Sequence, residues 1–175
     1  MLRTDRLILR DWREADVSLY RQLISERDPR VPAHRRLDAA GHPTEHELIP
    51  RIHALMSNED LGLKVACLGG DPTALGVGYC GLVHSEKTPN DEPEIAFEFL
   101  RSAWGHGYAT EAAGAVVDAA LDAGHTRLWA TVWEWNVASL KVLKKPGFTE
   151  SGKVDTVPGL GNSVYMVLDR STDRT

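Results

Sequence analysis

The chain has 175 residues, enough for one domain with its own core. Its 42% hydrophobic and 26% charged residues are ordinary for a folded globular protein. The 25 acidic and 20 basic residues give a formal charge of −5, which argues against a nucleic-acid binder and is compatible with a cationic acceptor, while two cysteines (Cys67 and Cys80) exclude a disulfide framework.

The opening MLRTDRLILR alternates charge with apolar residues, so no signal peptide is expected. The longest stretch free of Asp, Glu, Lys and Arg, Pro72 to Ser85, is Gly-rich and well short of the roughly 20 residues of a membrane helix. A cytoplasmic protein with no membrane partner is expected. Arg6 to Arg10 reads as a first strand. Val17, Tyr20, Leu23 and Ile24 recur at helical spacing within Glu14 to Ser25. Residues 28–43 are rich in Pro, Arg and His and read as a loop, or a short helix with loops. Thr44 and Glu47 form a possible capping box for a second helix to about Ser57, which Pro50 is expected to kink or delay. Leu61 to Leu68 and Ala74 to His84 read as a hairpin around the Gly69-Gly70-Asp71-Pro72 turn, followed by a polar turn from Ser85 to Glu92.

Glu94 to Leu100 alternates cleanly, with Glu94, Ala96 and Glu98 on one face and Ile95, Phe97 and Phe99 on the other. Thr110 to Ala123 carries Ala113, Val116, Val117, Ala120 and Leu121 on one helical stripe, with Glu111, Asp118 and Asp122 opposite and Gly124 as a stop. Arg127 to Trp135 reads as a strand, Ala138 to Lys145 as a short helix stopped by Pro146-Gly147, and Phe148 to Val154 and Ser163 to Leu168 as two closing strands. Residues 1–170 form one α/β domain (α+β), and residues 171–175 a frayed tail.

The chemistry concentrates in Trp104-Gly105-His106-Gly107-Tyr108-Ala109-Thr110-Glu111. Two glycines before a helix let the backbone approach a ligand, and the helix start offers free N–H groups to a phosphate. A plain strand-to-helix turn explains the same letters. Set after Glu94-Ile95-Ala96-Phe97-Glu98-Phe99-Leu100, however, the segment resembles motif A of the GNAT superfamily of N-acetyltransferases. Asn136-Val137-Ala138-Ser139, Val142-Leu143 and Gly147-Phe148 resemble the family's next motif, and Thr4 to Trp12 looks like the opening of its ribosomal-protein, or Rim-type, branch.

The resemblance implies the GNAT fold, with a mixed, mostly antiparallel central sheet flanked by helices. It implies acetyl-CoA as cosubstrate, its pyrophosphate on Gly105, His106, Gly107, Tyr108, Ala109 and Thr110, its pantetheine arm near Phe99, Leu100 and Arg101, and Asn136 in contact with that arm. It implies an amine acceptor, either a protein N-terminus or a small molecule, attacked directly without an acyl-enzyme, and a possible homodimer. Many members carry Gln or Arg where this chain has Trp104, a residue frequent in the Rim-type branch. Pro146 replaces a usual apolar helix residue and is expected to shorten the last helix.

Acetylation requires an ammonium of pKa about 10 to lose a proton. Glu94 matches the family's strand position and is the first candidate base, directly or through water; a solvated or salt-bridged strand carboxylate explains it equally well. Glu98 is weaker, because the branch usually has an aromatic there. Ser139 matches the position near the CoA sulfur and is the candidate acid for the leaving thiolate; helix capping explains it and Asn136 as well. Tyr108 and Tyr165 are alternative acids. The seven histidines complete no ligand spacing, so no metal is expected. Trp129, Thr131, Trp133 and Trp135 share a strand face and read as core first, acceptor pocket second. The competing function is a non-catalytic acyl-CoA-binding or sensor protein on the same fold.

Overall fold

The structure, a computed structural model, describes residues 1–57, 61–69, 71–89 and 92–171. The elements follow the expected order with one addition, a two-residue strand at the start: β1 (Leu2–Arg3), β2 (Leu7–Arg10), α1 (Val17–Ser25), α2 (Glu45–Met56), β3 (Lys64–Leu68), β4 (Gly76–Val83), β5 (Glu94–Phe99), α3 (Tyr108–Asp122), β6 (Arg127–Trp133), α4 (Val137–Lys144), β7 (Thr149–Val157) and β8 (Gly161–Asp169). Gly70 of the first hairpin turn, Asn90 and Asp91 of the polar turn, and residues 172–175 of the expected tail lie outside the described residues.

One eight-stranded sheet runs β1-β2-β3-β4-β5-β6-β8-β7. Every neighbouring pair is antiparallel except β5 and β6, which are parallel and joined through α3. A parallel pair needs such a crossover, and α3 supplies it. The sheet has a core on each face. On one side Ile95, Phe99, Leu128, Ala130 and Val132 pack on Ala113, Val116, Val117 and Ala120 of α3. On the other, Val65, Cys67 and Tyr79 pack on Leu19 and Leu23 of α1 and Ile52 and Leu55 of α2. Strand alternation divides consecutive residues between the two cores.

Helix α2 begins where its cap dictates. The Thr44 hydroxyl accepts from Glu47 N–H at 3.3 Å, and the Glu47 carboxylate accepts from Thr44 N–H at 2.7 Å. Pro50 lies inside the helix, which runs from Glu45 without a delayed start. Helix α3 starts at Tyr108, two residues earlier than its apolar stripe indicates, because Gly107 takes φ +82° and turns the chain into the helix there. Helix α4 ends at Lys144, ahead of Pro146. At Gly78 an added Cβ would meet the Phe99 ring at 2.6 Å, so glycine there seats β5 against β4.

Candidate active site

Strands β5 and β6 meet at one register pair, Glu94 with Trp129, where the Trp129 N–H donates to the Pro93 carbonyl at 3.0 Å. Beyond that pair a cavity of about 1410 Å³ opens between them. Its walls are β5, the glycine turn, the starts of α3 and α4, the outer end of β6, and the loop after α1. The Leu100 N–H bonds to the Val77 carbonyl of the neighbouring strand. Antiparallel bonding alternates along a strand, so Phe97 and Phe99 aim their backbone N–H and C=O groups toward β6 and the opening. The Phe99 carbonyl accepts from the Trp104 indole N–H at 2.8 Å.

The glycine turn forms the other end of the cavity. Gly105 and Gly107 both have positive φ, and a Cβ at Gly105 would point into open space. The N–H groups of Tyr108, Ala109 and Thr110 begin α3, where no preceding helical turn supplies acceptors. The turn is clamped from behind by the β1–β2 corner. Glu111 accepts from the Thr4 hydroxyl at 2.5 Å, the Arg6 N–H at 2.8 Å and the Arg6 guanidinium at 2.7 Å, while Arg6 also donates to the His106 carbonyl at 2.9 Å. The sequence puts Glu111 on the solvent side of its helix; tertiary packing instead makes it the anchor of the turn.

The two strand carboxylates differ in their surroundings. Glu98 is fully engaged: Arg27 donates to both its oxygens at 2.7 and 2.6 Å, and the Tyr79 hydroxyl donates at 2.9 Å. Burial opposes charge on Arg27, but Glu98 outweighs it and raises the guanidinium pKa. Burial, with the Glu98 charge, pushes the Tyr79 phenol well up. Glu94 accepts one hydrogen bond, from the Thr131 N–H at 2.9 Å to Oε1. It therefore fills the gap where β6 leaves β5, and it borders both the large cavity and a second one of about 500 Å³.

At the start of α4, the Asn136 side chain accepts from the Ser139 N–H at 3.2 Å, so its amide oxygen caps the helix. Ser139 lies in the cavity wall. Tyr108 stacks on His106 with ring centroids 5.4 Å apart. Burial and the neighbouring Asp155, which accepts from the Tyr165 hydroxyl at 2.6 Å, raise the Tyr165 pKa, and Tyr165 is not among the residues that line the cavity. The tryptophan stripe divides: Trp129 is buried, and the outer two are not core. Leu128, Ala130 and Val132 take the core face of β6; Trp133 and Trp135 line the cavity, stacked 6.2 Å apart, with Arg30 over Trp135. Trp129 is 9% exposed and donates its indole N–H to Glu92 at 2.5 Å.

A family model described as "Acetyltransferase (GNAT) domain" matches residues 6–149. The chain belongs to the GNAT acetyltransferase family. No curated protein matches its sequence. Among solved structures, a GNAT-family acetyltransferase from Bacillus anthracis is 20% identical, covers 97% of this chain and 98% of its own, and has a TM-score of 0.79. An acetyltransferase from Salmonella typhimurium with its cofactor acetyl-CoA is 15% identical over 97% and 96% of the two chains, with a TM-score of 0.70. A spermidine N-acetyltransferase from Vibrio cholerae is 15% identical over 98% of each, with a TM-score of 0.71. These likenesses show a shared fold.

In this GNAT acetyltransferase, Glu94, Phe99, Arg101, Gly105, Gly107, Tyr108, Ala109, Thr110, Asn136 and Ser139 all line the large cavity. Leu100 and His106 do not. Leu100 is 8% exposed and packs into the α1/α2 core, and His106 is an exposed ring whose carbonyl Arg6 holds. Arg101 reaches the cavity edge, but its N–H donates to the Glu26 carboxylate and its guanidinium to the Glu26 carbonyl, tying it to the end of α1. Arg6, Arg27 and Glu111 were invisible as site residues in the sequence, since each acts through a partner more than 70 positions away. No helix among the described residues is long and apolar enough to cross a membrane.

The clamp has a pH signature. Burial pushes the Glu111 carboxyl up, but hydrogen bonds from Thr4 and Arg6 outweigh it and hold its pKa below the ordinary value. A depressed folded-state pKa stabilises the fold above the ordinary carboxyl range and loses that contribution as pH falls through it, near about 4 and below. Acid unfolding followed by tryptophan fluorescence should therefore be less steep for Glu111→Gln than for the parent. Superimposable acid transitions would show that the clamp adds nothing to stability.

Proposed function

We propose that the protein is an acetyl-CoA-dependent N-acetyltransferase of the Rim-type branch, a cytoplasmic, single-domain enzyme over residues 1–170 and a possible homodimer. Acetyl-CoA is its cosubstrate. The observation that carries the reading is the cavity where β5 and β6 part: one end is the glycine turn and the helix start, and the walls hold Glu94 and Ser139. The residues fit the cosubstrate chemically. A pyrophosphate suits the positive end of α3 and the open backbone at Gly105 and Gly107. The amide groups of a pantetheine arm suit the N–H and C=O that Phe97 aims into the opening, two residues before the expected stretch that starts at Phe99; the N–H groups of Leu100 and Arg101 in that stretch are occupied by Val77 and Glu26.

Acetyl-CoA supplies the thioester. The amine nitrogen bonds to the acetyl carbon, the carbon–sulfur bond breaks, and the acceptor leaves as an amide. Of the two protons the ammonium gives up, one passes through Glu94 to solvent and one balances the CoA thiolate, leaving as thiol. Glu94 is the base because Glu98 has both oxygens engaged, while Glu94 accepts a single bond to Oε1. Ser139 is the acid, its N–H fixed by Asn136 and the residue set in the cavity wall. Amine acceptors accord with the spermidine N-acetyltransferase among the structural relatives.

Release of free CoA thiol from acetyl-CoA, with a panel of primary amines, tests the reading. Turnover is expected, with kcat lowered about tenfold or more in Ser139→Ala and acetyl-CoA affinity retained. Acetyl-CoA binding without thiol release for any amine would overturn the enzymatic reading and leave the acyl-CoA-binding protein.

A further inference from the structure

The second cavity, of about 500 Å³, lies between α1, α2 and the β4–β5 part of the sheet. Its charge is opposite to that of the whole chain. Arg35, Arg36 and Arg51 line it, and none has a carboxylate partner among the described residues; Arg36 spends its Nε on the Val31 carbonyl and keeps its outer nitrogens. Arg27 also lines it, but its charge is matched by Glu98. Among the described residues, the one carboxylate that lines it is Glu94, at the border with the large cavity. The Arg27 guanidinium donates to the Arg35 carbonyl at 2.6 Å, which fixes the arginine-bearing loop to the site.

We infer that the acceptor is a small primary amine bearing an anionic oxygen acid, a carboxylate or phosphonate, whose anion lies on Arg35, Arg36 and Arg51 while its ammonium meets Glu94. The inference rests on the reading of the protein as an N-acetyltransferase and narrows its acceptor. Guanidinium groups bind carboxylate and phosphonate oxygens with charge-assisted, paired hydrogen bonds. Facing one carboxylate with three unpaired arginines repels a polycation such as spermidine and retains a zwitterion, attractive at both ends. The volume falls within the range of small-molecule sites, and Tyr20, Ile24, Leu48 and Leu63 add apolar walls for a side chain. The low formal charge of the chain, compatible with a cationic acceptor, is thus overruled locally by the arginines that the fold brings together. The transfer is that described above: the nitrogen–acetyl bond forms, the carbon–sulfur bond breaks, and CoA leaves as thiol.

The test compares thiol release with three sets of probes: the proteinogenic L-amino acids, aminomethylphosphonate with its longer homologues, and the neutral or cationic counterparts (L-amino-acid amides and spermidine). At least one anionic amine is expected to exceed its amide by about tenfold or more in kcat/KM, the effect of losing a charge-assisted contact. Preference between the first two sets separates carboxylate from phosphonate. Arg51→Gln and Arg36→Gln line only the smaller cavity. Each is expected to raise KM for that anionic amine about tenfold, to leave its amide unaffected, and to keep the acetyl-CoA dissociation constant of the parent. Faster turnover of spermidine or of the amides, or preference for a peptide amine with acidic residues, overturns the inference and leaves the acetyltransferase reading standing. Turnover of no probe overturns the inference as well. It overturns the wider reading too if calorimetry shows no acetyl-CoA binding.

Discussion

Gly107→Glu is expected to abolish acetyl-CoA binding with the fold retained. Gly107 caps α3 at φ +82°. An L side chain at that angle costs about 1–2 kcal/mol, enough to disturb the turn but not to unfold a domain. The second effect is electrostatic. The new carboxylate lies beside the N–H groups of Tyr108, Ala109 and Thr110 and competes for the positive end of the helix that a pyrophosphate would use. It also lies within reach of Arg6, whose Nη2 is 3.5 Å from an ideal Cβ at this position, and so opposes the clamp that Glu111 makes. Calorimetric titration should show acetyl-CoA affinity weakened by about 100-fold or more, equivalent to about 2.7 kcal/mol. Circular dichroism should show the helical content of the parent. Unchanged affinity would remove the glycine turn from the binding site and the cosubstrate assignment would need another cradle.

Glu94→Gln is expected to lower kcat by about 100-fold or more while acetyl-CoA binds as before. Glutamine keeps an amide oxygen to accept from the Thr131 N–H, so the junction of β5 and β6 is preserved. What is lost is a group that can take the ammonium proton. The residual rate should then follow the fraction of free amine in solution, rising with pH toward the amine pKa of about 10 for an aliphatic amine. The matching change at Glu98 separates base from scaffold. Glu98→Gln turns one of the two accepting oxygens into a donor, so it loses part of the Arg27 and Tyr79 bonding, and it should lower stability and leave Arg27 unneutralised at the cavity wall, without reproducing the pH profile of Glu94→Gln. A Glu94→Gln enzyme as fast as its parent would make Glu94 a structural partner of Thr131 alone.

Much of the fold was legible in the sequence because its signals are local. The period of two in Glu94 to Leu100, the helical stripe from Ala113 to Leu121, the Thr44/Glu47 box and the glycine before Tyr108 each act over a few residues, and each element appears within three residues of its expected bounds. Which strand–helix–strand step makes the parallel pair was settled by the fold: β5 and β6 pair across α3, whereas β6 and β7, also joined by a helix, are kept apart by β8. The glycine turn, too, stands out locally, whereas Glu94 and Ser139 are singled out by the resemblance to the GNAT motifs, since a strand carboxylate and a helix cap explain their local pattern equally well.

Only tertiary structure decided which of two like residues is free. Glu94 and Glu98 share a strand face, and nothing between residues 94 and 98 tells that Arg27 and Tyr79 consume one of them. Trp133 looked like core because aromatic rings are usually buried, yet β6 turns its other face to α3 and gives this one to a cavity. Leu100 joined a hydrophobic core and Glu111 a clamp because partners far along the chain arrived beside them. The sign of charge in the smaller cavity is the clearest case. Composition sums over all 175 residues, whereas a ligand meets only the few within a Debye length or less, and the fold gathers Arg35, Arg36 and Arg51 there from a loop and a helix.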